Sequence, residues 1–213
     1  MSLLKKSVLL ATLILIADQA LKIWVKTHMA LGESISLAGD RAFIHFTENP
    51  GMAFGIEFDF LGSAGKLLLT LFRVVFIGIL VWFTWKQIRR KASAGFVLGL
   101  SAMCAGAMGN LIDCLFYGAI FSVSTYTQVA QLLPSGGGYE AVGFGRVVDM
   151  FYFPVIQGTY PSWFPFSAGE RLIFFRPIFN LADAAITCSV FYLLIFQRSF
   201  FSKDEKKEDQ QGA

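Results

Sequence analysis

Four stretches of the chain run almost without charge: about Ser7–Val25, Lys66–Trp85, Ala94–Leu115 and Ile178–Phe196. Each holds close to the ~20 apolar residues that a helix needs to cross ~30 Å of hydrocarbon. The pattern predicts four membrane-spanning helices. Between them lie a short basic turn, Lys86–Lys91, and two long loops over about 26–65 and 116–177. The first loop alternates apolar and polar positions over Ile35-Ser36-Leu37 and Phe43-Ile44-His45-Phe46-Thr47, around Ala38-Gly39-Asp40. That period of two predicts a pair of short strands and a hairpin turn. Ser135-Gly136-Gly137-Gly138 in the second loop reads as a flexible link. Residues 203–213 form a short charged tail, expected to be disordered.

The basic residues set the expected orientation. Lys5 and Lys6 begin the chain, Lys86, Arg89, Arg90 and Lys91 fill the short turn, and Arg198, Lys203, Lys206 and Lys207 follow the last span. All three clusters fall on one side of a four-span arrangement, and positive excess marks the cytoplasmic side. Both termini are therefore expected inside and both long loops outside. Trp24, Trp82 and Trp85 fall near span ends, as interface anchors do. The expected fold is an all-α integral membrane protein of four transmembrane helices with a small extracytoplasmic β-region, forming a single polytopic domain over residues 1–213.

Composition agrees with that class. Of the 213 residues 55% are hydrophobic and only 15% charged, where soluble domains carry about 25% charge. The net charge of +3 comes without a basic stripe or a nucleic-acid motif, so nucleic acid is not an expected partner. Cys104, Cys114 and Cys188 all fall in predicted helices and read as packing residues rather than disulfide partners. Lys5 and Lys6 before an apolar run resemble the start of a cleavable signal sequence. However, Asp18, Gln19 and Lys22 interrupt the run where a cleavage site would fall, so the segment is expected to stay as the first helix.

Ionisable groups inside a span cost roughly 2.5–3.5 kcal/mol each, so their presence needs a reason. Asp18, Gln19 and Lys22 stand in the first helix, Asn110 and Asp113 in the third, Asn180 and Asp183 in the fourth. Asp149 stands in the apolar Arg146-Val147-Val148-Asp149-Met150 of the second long loop. The four-span topology puts all of them near the outer end of the bundle. Spacings of three and four put each pair on one helical face, and Asp18 and Lys22 are placed to pair with each other. Such residues also cap helices or bind spans together. For Asp18, Lys22 and Asp113 that plain role stands level with a functional one; for Asp149 and Asp183 the functional reading is favoured.

Two carboxylates at close range cannot both ionise cheaply, so they share a proton. One can then activate a water while the other donates to a carbonyl and later to a leaving amine. This chemistry requires neither a metal nor a cofactor, and none is expected. His-Glu-x-x-His is missing from the sequence, and the histidines, His28 and His45, both fall in the first long loop. Cys104 and Cys188 lie in apolar runs without a base, and no local pattern marks a nucleophilic serine for Lys22.

Five short motifs now stand in order: Asp18-Gln19-Ala20-Leu21-Lys22, Asn49-Pro50-Gly51-Met52-Ala53-Phe54, Gly106-Ala107-Met108-Gly109-Asn110-Leu111-Ile112-Asp113, Val147-Val148-Asp149-Met150 and Phe179-Asn180-Leu181-Ala182-Asp183. In order and in placement relative to the spans they resemble the lipoprotein signal peptidase (signal peptidase II) family. The resemblance implies a monomeric aspartic endopeptidase of the bacterial inner membrane, surrounded by membrane lipids. Its substrates would be prolipoproteins, cut just before a cysteine that already carries diacylglycerol. It makes Asp149 and Asp183 the catalytic pair. Asp18, Lys22, Asn49, Gly51, Ala53, Phe54, Gly109, Asn110, Asp113, Asn180 and Ala182 would line or support the pocket.

The chain departs from the family pattern in three places. Many relatives carry an arginine directly after the third-helix aspartate, where this chain has Cys114; that guanidinium is either dispensed with or supplied elsewhere, with Arg146 the candidate. Ala119–Gly145 and Gln157–Phe175 look like inserts. Two rival readings stay open: an ion- or proton-coupled transporter using Asp18, Asp113 and Asp183 as relay groups, and a scaffold whose polar residues only hold helices together.

Overall fold

The computed structural model describes residues 1–50, 62–154, 156–159, 163, 169, 171–174 and 177–198. The expected tail over 203–213 lies outside the described residues. In chain order the elements are α1 (Leu3–His28), β1 (Ser34–Ala38), β2 (Ala42–Asn49), α2 (Gly62–Arg89), α3 (Ala94–Ile112), a π turn (Asp113–Tyr117), α4 (Gly118–Ile120), β3 (Val147–Tyr152), β4 (Ile156–Thr159), β5 (Arg171–Phe174), β6 (Ile178–Phe179) and α5 (Leu181–Phe196). They divide between two compact units, one from residues 1–19, 58–112 and 181–213, the other from 20–57 and 113–180.

In the first unit α5 lies directly on α3. A Cβ added at Gly106 of α3 would stand 2.4 Å from the carbonyl oxygen of Ala182 on α5, so only glycine lets the two backbones come this close. Phe96, Leu100 and Leu193 form the apolar core of the unit, with Leu80 and Phe83 of α2 packed against it. The outer faces stay bare: Val8, Leu13 and Ile16 on α1, Leu68, Phe72 and Phe76 on α2, and Phe191 and Leu194 on α5 are all exposed. Only 17% of the most apolar stretch of α1, and likewise of α2, is buried within the protein. Helices greasy on the outside satisfy their backbone internally and belong in lipid.

Among the described residues, three helical paths are long and apolar enough to cross a bilayer: Leu3–His28, Ala64–Arg89 and Ala94–Ile120. The third runs five residues beyond the expected end at Leu115, because the π turn and α4 prolong it. The expected start of the fourth span at residue 178 is corrected. Ile178 and Phe179 are extended, paired antiparallel with Tyr152 and Phe151 of β3. The helix therefore begins only at Leu181 and has 16 residues, about 24 Å at ~1.5 Å per residue.

The second unit is built on a four-stranded antiparallel sheet in the order β1-β2-β3-β6. The hairpin expected in the first long loop is present, with Ser34 opposite His45, Ser36 opposite Phe43 and Ala38 opposite Ala42. Gly39 makes its turn at φ +51°, where glycine carries no steric cost. β-structure extends beyond that hairpin, since β3 comes from the second long loop, β6 from the first residues of the expected last span, and β4 and β5 pair separately. Within the expected link at 135–138 two glycines make specific contacts. Gly137 donates its N–H to Pro134, and a Cβ on Gly138 would lie 2.1 Å from the carbonyl oxygen of Gly118. At Gly138, glycine serves close approach.

Gly106 and Gly78 make opposite predictions. Gly78 in α2 has nothing within 4 Å of an added Cβ, so Gly78→Ala should be neutral or raise stability by up to about 1 kcal/mol through helix propensity. Gly106→Ala should lower the Tm in detergent, because the obstacle is backbone and cannot swing aside. Equal melting of the two variants would contradict the close α3–α5 contact.

Candidate active site

The first unit brings Asp18, Gln19, Gly109, Asn110, Ala182 and Asp183 together. Asp18 is buried, and its Oδ1 accepts the backbone N–H of Ala182 at 2.9 Å. That N–H belongs to the first turn of α5, where helix donors lack intrahelical partners and the dipole favours an anion. A carboxylate from α1 thus completes the start of α5. Gly109 leaves room for it, since a Cβ there would stand 2.7 Å from Asp18 Oδ2. Gln19 Nε2 donates to the Gly109 carbonyl at 3.2 Å. Asn110 Nδ2 donates to Asp183 Oδ1 at 2.8 Å, fixing a carboxylate oxygen at the head of α5.

The second unit holds the other predicted residues. Lys22 pairs with Asp113 at 2.9 Å, and both side chains are wholly buried. Spacing along one helix names a shared face but not the partner that packs on it from another element. Asp113 Oδ2 also accepts the N–H of Val148 at 3.2 Å, so it ties the first turn after α3 to β3. Asp149, on the next residue of β3, is 7% exposed. Asn180, wholly buried, donates through Nδ2 to Asp149 Oδ1 at 2.7 Å and to the Val148 carbonyl at 3.3 Å. Asn49 ends β2 directly opposite Val147. Gly51, Ala53 and Phe54 lie outside the described residues.

Arg146 pairs with the carboxylate of Glu48. Its Nη1 lies 3.3 Å from Glu48 Oε2, and its guanidinium rests over the Tyr139 ring at 5.3 Å. Glu48 also accepts from Lys26, a buried pair, and from Ser124 Oγ at 2.7 Å. Lys26 in turn reaches Ser124 Oγ at 2.9 Å. Tyr139 Oη accepts the Arg146 N–H at 2.8 Å, and burial pushes its phenol above the usual range, so it stays protonated. Sequence reasoning missed Lys26, Glu48, Ser124 and Tyr139. Lys26 was findable, because it extends the Asp18, Lys22 series by one more step of four along α1.

The remaining candidates fall away from these clusters. His28 is the last residue of α1, not a loop residue, and stacks on Trp24. Burial holds the His45 imidazole below its ordinary pKa, and Ser34 Oγ lies 2.5 Å from its Nδ1. Cys104 and Cys114 are buried thiols, and Cys188 is an exposed one.

Lipid-facing helices and buried aspartates, each oriented by a carboxamide, an ammonium or a backbone N–H, define a polytopic membrane protein equipped for acid–base chemistry. The family model described as Signal peptidase (SPase) II matches residues 10–199. A lipoprotein signal peptidase of Porphyromonas gingivalis is 53% identical over 187 residues, covering 87% of this chain and 80% of its own length. One from Amoebophilus asiaticus is 33% identical over 201 residues, covering 93% and 80% respectively. Among solved structures, a bacterial membrane enzyme shares the fold with a TM-score of 0.60 at 22% identity, covering 93% of this chain and 91% of that one. The chain belongs to the signal peptidase II family, a family of aspartic proteases.

The Lys22–Asp113 pair generates a test. Lys22→Met or Asp113→Leu alone leaves an uncompensated buried charge and should cost about 3–5 kcal/mol, while the double variant should recover most of that loss. Thermal melts of the purified variants read both effects. Single variants that melt like the parent would show the pair to be unimportant to folding.

Proposed function

We propose that the protein removes signal peptides from diacylglyceryl-modified prolipoproteins, cutting just before the lipidated cysteine, with Asp149 and Asp183 as the catalytic pair. It works as a monomer at the outer face of the bacterial inner membrane, with α5 as a fourth span and both termini cytoplasmic. The relatives named lipoprotein signal peptidase support the substrate class, and the three basic clusters support the orientation.

The observation that carries the pairing is the Asn180–Asp149 hydrogen bond of 2.7 Å. Asp183 stands three residues further along the chain, so its backbone lies no more than ~10 Å from that of Asn180. One carboxylate is thus held by Asn180, and the other follows within a single helical turn, itself held by Asn110. The pair keeps one proton between its two carboxyls. The ionised member takes a proton from water, which attacks the scissile carbonyl. The protonated member donates to the carbonyl oxygen, and the proton is finally delivered to the leaving amine. Asp18, Gly109 and Ala182 position the head of α5. Lys22, Asp113, Asn49 and Arg146 position β3, and Gly51, Ala53 and Phe54 contribute to the substrate pocket. A transporter would need relay groups deep in the spans, whereas Asp149 is carried by a strand.

Asp149→Asn and Asp183→Asn should each lower turnover of a lipidated prolipoprotein at least about 100-fold, the usual scale of general acid–base loss, with the protein still folded. The parent's pH–rate profile should be bell-shaped and report the pair rather than either residue. Parental turnover in either variant refutes the assignment.

A further inference from the structure

From Cys114 through Tyr139 no side chain carries charge, although only the first part of that run belongs to the helical path ending at Ile120. Residues 121–133 continue it as an ordered protrusion rather than a loose loop. Ser122 donates its N–H to Gln131 at 2.9 Å, Phe121 bridges Leu132, and Thr125 Oγ1 caps the tip by accepting from the Gln128 N–H at 2.9 Å. These bonds tie the protrusion's backbone together, yet its apolar side chains stay uncovered. Tyr126 is 78% exposed and Leu133 72%, and Val123, Val129 and Leu132 are exposed as well.

Two features fix where this surface stands. The N–H of Leu133 donates to the carbonyl of Ile120 at 2.7 Å, so this bare leucine is stitched to the residue at which the third helical path ends. Leu133 also adopts φ +51°, a left-handed conformation in which a branched side chain is strained and glycine or asparagine would sit at ease. A strained leucine held into open space beside the end of a lipid-embedded helix has a use for its side chain. Apolar and tyrosine side chains without charge at that level match the headgroup–acyl boundary, where Tyr rings sit half in each phase.

We propose that residues 121–133 form an interfacial anchor: Tyr126, Val129, Leu132 and Leu133 enter the bilayer surface beside the outer end of the third helical path, and hold the second unit against the membrane. The occupant is lipid, and the inference does not depend on the assignment of the catalytic pair. The test uses the full-length protein in nanodiscs of phosphatidylcholine and phosphatidylglycerol. Cys188→Ser removes the exposed thiol, and Tyr126→Cys or Leu133→Cys receives a fluorophore, with Ser2→Cys as the aqueous reference. Labels at 126 and 133 should be quenched severalfold more by a lipid carrying a nitroxide high on its acyl chain than the reference label is, and be shielded from aqueous iodide. Quenching by iodide to the level of the reference overturns the proposal. Shielding from both quenchers overturns it too, since it would mean that protein covers the surface. Should labelling at 133 disturb its strained turn, Val129→Cys reads the same surface.

Discussion

Asn180 is wholly buried and spends its carboxamide on two acceptors of one strand, the Val148 carbonyl and the Asp149 carboxylate. It does so at the threshold of a helix, for α5 begins at the next residue. A buried carboxamide left without acceptors would cost about 1–3 kcal/mol. Satisfying it here both orients Asp149 and fixes where β6 gives way to helix. Every functional reading of Asp149 and Asp183 depends on that local arrangement.

Around it, buried charges act as braces. Lys22 and Asp113 neutralise each other with no solvent contact, and Asp113 passes the constraint to β3 through Val148. One turn further along α1, Lys26 and Glu48 form a second buried pair, and the partly exposed Arg146 adds to it, joining the end of α1, the end of β2 and the entry to β3. Buried ion pairs are poor sources of net stability, but breaking one is expensive. They therefore define geometry more than they strengthen the fold. Val148 and Asp149 of β3, and Arg146 just before it, are all held, so Asp149 has little freedom to leave its position. In the first unit, Asp18 performs the matching task by completing the first turn of α5.

Much of this was legible in the sequence because a bilayer makes polar residues conspicuous. Asp18, Asn110, Asp149, Asn180 and Asp183 stood out against apolar neighbours, and the alternation over 35–47 revealed the hairpin. Other features stayed hidden for separate physical reasons. Hydropathy does not separate a buried strand from the start of a helix, so Ile178 and Phe179 were counted into a span. Helical spacing gave Lys22 a face but not its partner Asp113. Glu48 lay in a loop where acids are ordinary, and only the fold brings Lys26, Ser124 and Arg146 upon it. The glycines of 136–138 looked like a linker, although Gly138 is demanded by the backbone of Gly118.

Infrared difference spectroscopy of the protein in lipid, with isotope-labelled aspartate, tests most directly the proposal that Asp149 and Asp183 share a proton. A proton held jointly predicts a carboxyl band that survives near neutral pH, where isolated aspartates with pKa about 3.9 have ionised, and that disappears in both Asp149→Asn and Asp183→Asn. A band that persists unchanged in either variant, or is missing from the parent at every pH above the ordinary carboxylate range, would contradict the pairing.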